Sequence, residues 1–379
     1  MKRFSLILIV LSLFIQGLLI AQEKPIINIP DILGYKTLKC DFHMHTIFSD
    51  GRVWPTVRVS EAKQLGLDAI AITDHVEHRK FLDVIFSKPG DNGKPKVDVD
   101  RNMAYNIAKE AAEKSDIILI RGAEISRSMP PGHLNAIFLP DVNKVYTPEW
   151  KDAFREAKKQ GAFIFWNHPG WKNQQPDTTL WWEGHTWLLE NGMMHGIEVV
   201  NNKSYYPEAH QWAIEKNLTF MANTDQHSVV NVQSAIDGDL RTMTLVFAKE
   251  RSVEGIKEAL FDHRTLVYYD NKLIGNRKFL DAIFFNSISV ESVEKVEDGF
   301  QIIINNPTDI PFELSKASGN DTELEFFSTL VLPARKQTTF KIYTHQFTSS
   351  NKIDLKLIVE NLWMAPDKGL PVTLTFITK

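Results

Sequence analysis

The stretch Cys40–Gly51, CDFHMHTIFSDG, decides the fold and the chemistry that we expect of this chain. Its first half has the pattern of a strand. On a strand, alternate side chains point to the same face, so the imidazoles of His43 and His45 can reach one metal ion. Asp50 and Gly51 then give a turn signal. A strand that ends in a turn and carries two histidines and an aspartate predicts one part of a hydrolytic metal site.

Downstream of this stretch, short apolar strands alternate with helices as far as residue 261. The predicted strands cover 38–46, 67–73, 117–120, 133–139, 162–166, 196–200 and 218–222. The predicted helices include 55–65, 101–114, 207–216 and 252–261. Such repeated alternation predicts a parallel sheet, either open or closed into a barrel. In a barrel, the carboxyl ends of the strands meet at one mouth, where residues far apart in sequence can form one site.

The pattern changes near residue 285, where helical periodicity stops. Strand patterns follow at 299–305, 339–343, 352–359 and 371–378, with turn signals at 305–309 and 366–369. We expect a small all-β, immunoglobulin-like sandwich over 285–379. A barrel extension without a core of its own is the alternative.

The N-terminus has the pattern of a secretory signal peptide over residues 1–21. Lys2 and Arg3 precede an apolar run over 4–20, and the chain then turns polar. An uncleaved membrane anchor is the alternative, because the run is close to the length that spans a bilayer. We therefore expect a secreted, periplasmic-type protein. Its barrel is expected to cover residues 22–284. No stable membrane insertion is expected after cleavage.

The composition indicates which partners and which sources of stability we expect of the chain. The net charge of −4 comes without a basic stripe, so nucleic acid is not indicated. The single cysteine, Cys40, lies in a strand pattern and is expected to be a buried apolar residue. No disulfide can form within the chain, so its stability must come from core burial and bound metal.

Nine residues of metal-ligand type stand near the predicted strands, and most of them terminate a strand at the end where a barrel would have its mouth. They are His43, His45, Asp50, His75, Glu124, His133, His168, Asp225 and His227. Mixed imidazole and carboxylate ligands suit zinc, manganese or iron. Two such ions roughly 3.5–4 Å apart could generate a bridging hydroxide and bind both the attacking and the leaving oxygen of a displacement reaction.

The order of the motifs resembles a known family. HxHTxxSDG, TDH, GxE, a later histidine, NHP and DxH follow one another over residues 35–280 as they do in the polymerase and histidinol phosphatase (PHP) domain. The resemblance implies a distorted (β/α)7, TIM-like barrel that holds up to three divalent ions. It also implies phosphoesterase activity.

The same resemblance implies a ligand set for each of three ions. The first ion would be held by His43, His45, Glu124 and Asp225. The second would share Glu124 and add His133 and His168. The third would be held by Asp50, His75 and His227. We accordingly expect two to three divalent ions of zinc, manganese or iron as cofactors.

Further polar residues are candidates for catalysis or for substrate binding. Glu124, Asp225 and Asp74 are predicted to be catalytic, although Asp74 would face away from His75 on a strand and could have a structural role. The predicted phosphate-binding residues are Arg121, Arg127 and Lys172, which lie near ligand positions in sequence. Salt bridges within the scaffold are the alternative for these three cations. The tryptophan-rich stretch 166–187 is predicted either to form an aromatic wall beside the mouth or to pack as a hydrophobic cluster.

Taken together, these patterns predict a metal-dependent hydrolase that cleaves phosphodiesters of small molecules through a metal-bridging hydroxide. The signal peptide and the β-rich tail make the chain most similar to the secreted phosphodiesterase branch of the family. A phosphomonoesterase or a carboxyl or carbamate ester hydrolase could use the same site. A secreted binding protein with a vestigial barrel is the alternative from a different class, and the oligomeric state stays open.

Overall fold

The structure, a computed structural model, describes residues 27–79, 100–231, 240–344 and 352–378. The predicted signal peptide lies outside these ranges and stays a prediction. Among the described residues, no helix is both long and apolar enough to cross a membrane.

The N-terminal part is a barrel of mostly parallel strands wrapped by helices. Its strands are β1 (Lys36–Asp41), β2 (Ala69–Ile72), β3 (Ile118–Ser126), β4 (His133–Ile137), β5 (Phe163–Trp166), β6 (Gly196–Asn201), β7 (Ser204–Tyr205) and β8 (Thr219–Asn223). β1, β2 and β3 pair in parallel, and so do β5, β6 and β8. β2 and β5 are buried along their whole length, as expected of strands covered on both faces.

Most of the helices follow the sequence pattern, whereas α4 and α7 were not predicted. They are α1 (Pro55–Gln64), α2 (Met103–Ser115), α3 (Trp150–Lys159), α4 (Glu183–Glu190), α5 (Pro207–Glu215), α6 (Val253–Phe261) and α7 (Arg277–Ser287). α1 and α5 each begin with a proline, whose missing N–H costs nothing in the first turn. α3 buries Ala153, Phe154 and Ala157, which are spaced to lie on one face.

β4 departs from the expected parallel order because it runs antiparallel to both β3 and β5. Only residues 127–132 separate β3 from β4, whereas a parallel crossover needs about a dozen residues or more. The reversal places the first residue of β4, His133, at the same end of the barrel as the last residues of the parallel strands.

The barrel closes at its mouth through the segments that carry the predicted ligands. The Phe42 N–H donates to Asn223 Oδ1, the Asp225 N–H donates to His43 O, and the His45 N–H donates to Gln226 O. The segment after β1 and the segment after β8 are therefore joined backbone to backbone where the site lies.

Three further strands extend the sheet on the other side of β1. These are β9 (Met243–Ala248), β10 (Thr265–Tyr269) and β11 (Lys272–Gly275), each antiparallel to its neighbour. The sequence patterns did not predict them. The predicted domain boundary at residue 285 falls within α7, which leads from this extension to the C-terminal part.

The C-terminal part is a sandwich of two antiparallel sheets. Its strands are β12 (Ser289–Val296), β13 (Gly299–Asn306), β14 (Phe312–Lys316), β15 (Leu324–Glu325), β16 (Thr329–Leu332), β17 (Lys336–Thr344), β18 (Lys352–Ala365) and β19 (Lys368–Ile377). One sheet has the order β12-β13-β17-β15, and the other contains β16, β14, β18 and β19. The core between them includes Ile302, Leu355 and Phe376. The predicted fold class, a distorted α/β barrel followed by an all-β sandwich, is confirmed.

Candidate metal centre

All nine predicted ligand residues meet at one end of the barrel. His43, His45 and Asp50 follow β1, His75 follows β2, Glu124 lies in β3, His133 begins β4, His168 follows β5, and Asp225 and His227 follow β8. Within each group of potential ligands, the ligand atoms lie within 4.8 Å of one another.

Glu124 stands at the centre of the cluster. Its carboxylate is fully buried, and its two oxygens face different imidazoles. Oε2 lies near nitrogens of His43 (3.3 Å), His45 (3.1 Å) and His75 (3.1 Å). Oε1 lies near nitrogens of His133 (2.8 Å) and His168 (3.5 Å). A carboxylate placed in this way can bind a different cation through each of its oxygens.

The first group of potential ligands matches the set implied for the first ion. The ligand atoms of His43, His45, Glu124 and Asp225 all lie within 4.8 Å of one another. Asp225 Oδ1 lies 3.2 Å from His43 Nε2 and 3.0 Å from His45 Nε2. This group contains two imidazoles and two carboxylates.

A group on the other side of His45 contains the set implied for the third ion. Asp50, His75 and His227 are joined there by His45, which the resemblance did not include. Asp50 Oδ1 lies 3.1 Å from His227 Nε2 and 3.5 Å from His75 Nε2. The rings of His45 and His227 stack with their centroids 4.2 Å apart.

The remaining group differs in part from the set implied for the second ion. The structure brings His75, Glu124 and His133 within 4.8 Å of one another, whereas the resemblance implied His168 in place of His75. His168 nevertheless lies beside them, with its ring centroid 5.2 Å from that of His133. His75 faces two groups because Glu124 lies near its Nδ1 and Asp50 lies near its Nε2.

Several atoms of this cluster are buried without a hydrogen-bond partner. Among them are His45 Nε2, Asp50 Oδ1, Glu124 Oε1, His133 Nδ1 and Asp225 Oδ1. Buried polar atoms are normally satisfied, and these atoms point toward one another. Divalent cations would satisfy all of them, so the residues present fit bound metal ions of the zinc, manganese or iron type.

The pKa values of the cluster residues also reflect the close packing of imidazoles and carboxylates. Burial alone would lower the pKa of His43, but the carboxylates of Asp225, Glu198 and Glu124 outweigh burial and raise that pKa. Burial would also lower the pKa of His45, but the adjacent carboxylates of Asp225 and Glu124 raise it to about 9. The neighbouring histidines hold the pKa of Glu124 and of Asp225 well below its usual value, although burial opposes this.

The backbone is strained at two ligand positions. His168 has φ of 31° and Asp225 has φ of 53°, in the left-handed region that side chains rarely adopt. Such strain is often found at functional sites. Gly51 allows its own backbone to pass close to the backbone of His45. A Cβ at this position would lie 2.5 Å from the His45 carbonyl carbon.

Glu198 is a part of the site that sequence reasoning missed. It is fully buried in β6, and its Oε1 lies 2.9 Å from His43 Nδ1. Its Oε2 accepts a hydrogen bond from the His168 N–H at 2.7 Å. The signal was available in the sequence, since a lone glutamate interrupts the apolar strand GIEVV.

Arg58 was missed as well. This arginine of α1 is only 1% exposed, and its guanidinium donates to the carbonyl oxygens of His45, Gln226 and Ser228. Glu61 accepts a further hydrogen bond from it. Arg58 thus binds together the two backbone segments that carry ligands.

Asp74 does not join any group of potential ligands. Its Oδ1 accepts from the Thr46 N–H and from the Ser49 hydroxyl, and its Oδ2 accepts from the Thr46 hydroxyl. These contacts hold the loop between His45 and Asp50. The structure therefore favours a structural role over the catalytic role predicted for Asp74.

The three predicted phosphate-binding cations also lie outside the cluster. Arg121 donates to Pro140 O and to Asn106 Oδ1 on the outside of the barrel. Arg127 pairs with Glu77 at 3.0 Å and donates to the carbonyl oxygens of Thr147 and Pro148. Lys172 is exposed and donates to Asp177 O at 3.4 Å. The structure does not bring these side chains to the metal cluster.

A cavity of about 340 Å³ opens over the cluster. Besides the ligand residues, it is lined by Trp171, Asn201, Asn202, Lys203, Ser204 and Tyr206. Lys203 is the only lysine or arginine among the described lining residues, and sequence reasoning did not single it out. Burial raises the pKa of Tyr206, so its hydroxyl stays protonated at neutral pH.

The tryptophans of the stretch 166–187 do not all behave alike: one lies at the cavity, as predicted for an aromatic wall, and others pack in a hydrophobic cluster. Trp171 is 39% exposed at the cavity, with its ring centroid 5.1 Å from that of His168. Trp181 instead packs against Trp166 and Trp212 in a hydrophobic cluster. Only Trp171 is thus placed to contact a ligand in the cavity.

Comparison with known proteins agrees with this division of the chain. Residues 41–173 match the PHP domain family, and residues 287–375 match an Ig-like domain. The chain is 47% identical to a two-domain protein from Bacteroides vulgatus that contains a predicted PHP-like metal-dependent phosphoesterase. That solved structure superposes with a TM-score of 0.86, over 94% of this chain and 99% of the other.

A second relative covers a smaller part of the chain. An uncharacterized protein from Methanocaldococcus jannaschii is 35% identical over 96 residues, or 25% of this chain. The match spans 36% of that protein's length.

Proposed function

This chain belongs to the PHP-domain family of metal-dependent phosphoesterases, and on that premise we propose that it hydrolyses phosphodiesters. The position of Glu124 carries the proposal. One of its oxygens faces His43, His45 and His75, and the other faces His133 and His168. Two cations bound on either side of this carboxylate would lower the pKa of a water molecule and offset the charge of the phosphoryl oxygens.

The residues around the cavity supply the remaining functions. We assign Lys203 to bind a non-bridging phosphoryl oxygen, in place of the three cations predicted from sequence. The protonated hydroxyl of Tyr206 can donate to a second oxygen. Trp171 closes one side of the cavity beside His133 and His168 and would contact an organic group of the substrate.

Two features favour a diester over a monoester. A phosphomonoester carries close to two negative charges at neutral pH, and the described cavity wall offers only Lys203 beside the cation sites. In addition, a second cavity of about 550 Å³ adjoins the first and shares Asn202 and Lys203 with it. The second cavity gives room for the other organic substituent of a diester.

The test is a parallel assay of the metal-loaded protein on three nitrophenyl substrates: a phosphodiester, a phosphomonoester and a carboxyl ester. We expect the highest kcat/KM with the diester. Glu124→Gln should reduce it by more than about 100-fold, because even indirect partners of metal ligands commonly contribute 10- to 100-fold.

Glu294→Gln is the matched control, since Glu294 is an exposed glutamate of β12. It should leave kcat/KM unchanged. Metal content and circular dichroism of each variant would separate loss of chemistry from loss of fold. Turnover of the carboxyl ester alone, with neither phosphorus substrate cleaved, would contradict the proposal.

A further inference from the structure

The Ig-like domain reaches the wall of the metal cavity through strand β18. The first part of β18 pairs with β14 and β19 inside the sandwich. Its last part keeps β19 as one neighbour and pairs in parallel with β11 of the barrel on its other edge, with Leu273 opposite Leu362 and Ile274 opposite Trp363. The register of the β18–β19 pair shifts between Val359 and Trp363, where β11 replaces β14 as the second neighbour of β18.

Trp363, at this crossing, contacts a residue of the cavity wall segment. Its ring meets the ring of Tyr205 edge to face, with the centroids 5.2 Å apart. The indole N–H donates to Glu360 O at 2.8 Å, which fixes the orientation of the ring. The hydroxyl of Tyr205 is held at its other end by His210 Nδ1 at 2.9 Å.

Tyr205 belongs to a hairpin that lines the metal cavity, residues 201–206, which we call the cavity hairpin. It folds back on itself through β6 and β7, with Val200 opposite Tyr205 and Asn201 opposite Ser204. Five of its six side chains line the cavity, and Tyr205 is the one that does not. Through its contact with Trp363, Tyr205 connects the cavity hairpin to the Ig-like domain.

The barrel supports the turn of the cavity hairpin through several hydrogen bonds, among them the one from the Asn202 N–H to Asn223 O. Tyr269 donates from its hydroxyl to Lys203 O at 2.8 Å, and Thr242 donates to Asn202 O at 2.5 Å. Both hold the backbone of the turn, and neither holds the β7 arm. Among the described residues, the β7 arm is held by its pairing with β6, by the Tyr206 N–H that donates to Val199 O and by the Tyr205 hydroxyl at His210 Nδ1. The contact between Tyr205 and Trp363 adds a support from the Ig-like domain.

We infer that Trp363 of the Ig-like domain is a positioning residue for the cavity hairpin, and that through Tyr205 it keeps Lys203 directed at the metal cavity. Trp363 touches no ligand residue, so it acts on the site only through the hairpin. The inference rests on the proposed function in one respect, namely that Lys203 binds a phosphoryl oxygen.

The test measures binding of inorganic phosphate to the metal-loaded full chain by titration calorimetry, which requires no turnover. Trp363→Ala should weaken phosphate binding by about tenfold, as expected when a charged hydrogen-bonding group is misplaced. Trp363→Phe should restore most of the affinity because it keeps an aromatic contact. Tyr205→Leu removes the same ring contact from the barrel side, together with the hydroxyl contact to His210, and should weaken phosphate binding at least as much as Trp363→Ala. It covers the case in which Trp363→Ala folds poorly.

A double variant decides whether the effect passes through Lys203. If it does, Trp363→Ala combined with Lys203→Ala should bind phosphate no more weakly than Lys203→Ala alone. Tyr343→Ala, at an exposed aromatic position of the same domain, should bind as the wild type does. Additive effects in the double variant, wild-type binding by Trp363→Ala and Tyr205→Leu, or loss of metal from them would each overturn the inference. A holoprotein that binds phosphate through Lys203 but cleaves no phosphoester would contradict the proposed function alone.

Discussion

Glu198 lies outside the three groups of potential ligands, yet it contacts the residues on which those groups depend. Its Oε1 accepts from His43 Nδ1 and from Asn223 Nδ2, and its Oε2 accepts from the His168 N–H and from Asn201 Nδ2. Two segments that carry ligands are thus oriented by one buried carboxylate. Hydrogen bonds of this kind fix the ring orientation of a ligating histidine and raise its basicity.

We predict that Glu198→Gln weakens metal binding by about 10- to 100-fold. The amide NH2 of glutamine cannot accept hydrogen bonds. Either the donors of His43 and Asn223 or those of His168 and Asn201 would therefore face another donor. Competition with a chelating dye at fixed pH measures the affinity, and Glu208→Gln in α5 provides an exposed control. Unchanged metal affinity in Glu198→Gln would show that this carboxylate does not orient the ligands.

At the scale of single residues, the sequence predicted which residues meet at the mouth of the barrel better than it predicted the residues that support them. All nine ligand residues come together because their positions at strand ends place them at one mouth. The prediction that Arg121 binds phosphate failed because Arg121 lies three residues from Glu124 on the same strand. Alternation along a strand places two such side chains on opposite faces. Asp74 and Arg127 have local partners whose positions depend on loop conformation, which the pattern of residues does not determine.

At the scale of elements, the β3–β4 hairpin is the main departure from the expected alternation. The length of the connection alone would have predicted an antiparallel pair. The reversal explains how His133 can start a strand and still reach a site built from strand ends. β9 and β10 lie on either side of α6, and only Asp270 and Asn271 separate β10 from β11. Their apolar runs are strand signals that sequence reasoning did not use.

Helix α4 provides a prediction about acid stability. His185, fully buried near the start of the helix, stacks on Trp166 with centroids 3.7 Å apart. Its Nδ1 accepts from the Trp182 N–H and its Nε2 donates to Pro131 O, so the neutral ring is fully satisfied. Burial lowers the pKa of His185 to about 4. That value is below the usual value of about 6.5, so the unfolded chain takes up a proton first as the pH falls.

The free energy of unfolding should therefore have a contribution from His185 that is present above about pH 6.5 and is lost toward pH 4. His185→Phe keeps the stacking but cannot titrate. We expect this variant to be less stable than the wild type at pH 7, and the difference to narrow as the pH falls. Urea unfolding of both metal-free proteins at several pH values measures the difference. Parallel stability curves would exclude a role for His185 in acid sensitivity.

At the scale of the whole molecule, bound ions should contribute to stability as well as to chemistry. Ions that bind only the folded chain stabilise it by roughly 3 kcal/mol at a free concentration 100 times their Kd. We predict that EDTA lowers the Tm of the wild type by several degrees in calorimetry. Glu124→Gln, which lacks the central carboxylate, should respond much less. An equal response of both proteins would place the stabilising ions elsewhere.

The sequence also predicted the order of the two large parts, because a change from helical periodicity to short strands is a local signal. It could not predict that one sheet runs through both parts. The pairing of Leu273 with Leu362 joins segments almost ninety residues apart, and both segments are apolar runs with many possible partners. The register between such strands is set by the packing of the whole molecule.

The continuous sheet has a consequence for how the barrel behaves in solution. Leu273 and Ile274 of β11 are fully buried, and β18 satisfies the outer side of that strand. Without the Ig-like domain, β11 would be an uncovered apolar edge, open to pairing with another chain. The domain thus protects the barrel from self-association, in addition to any part that it takes in forming the cavity.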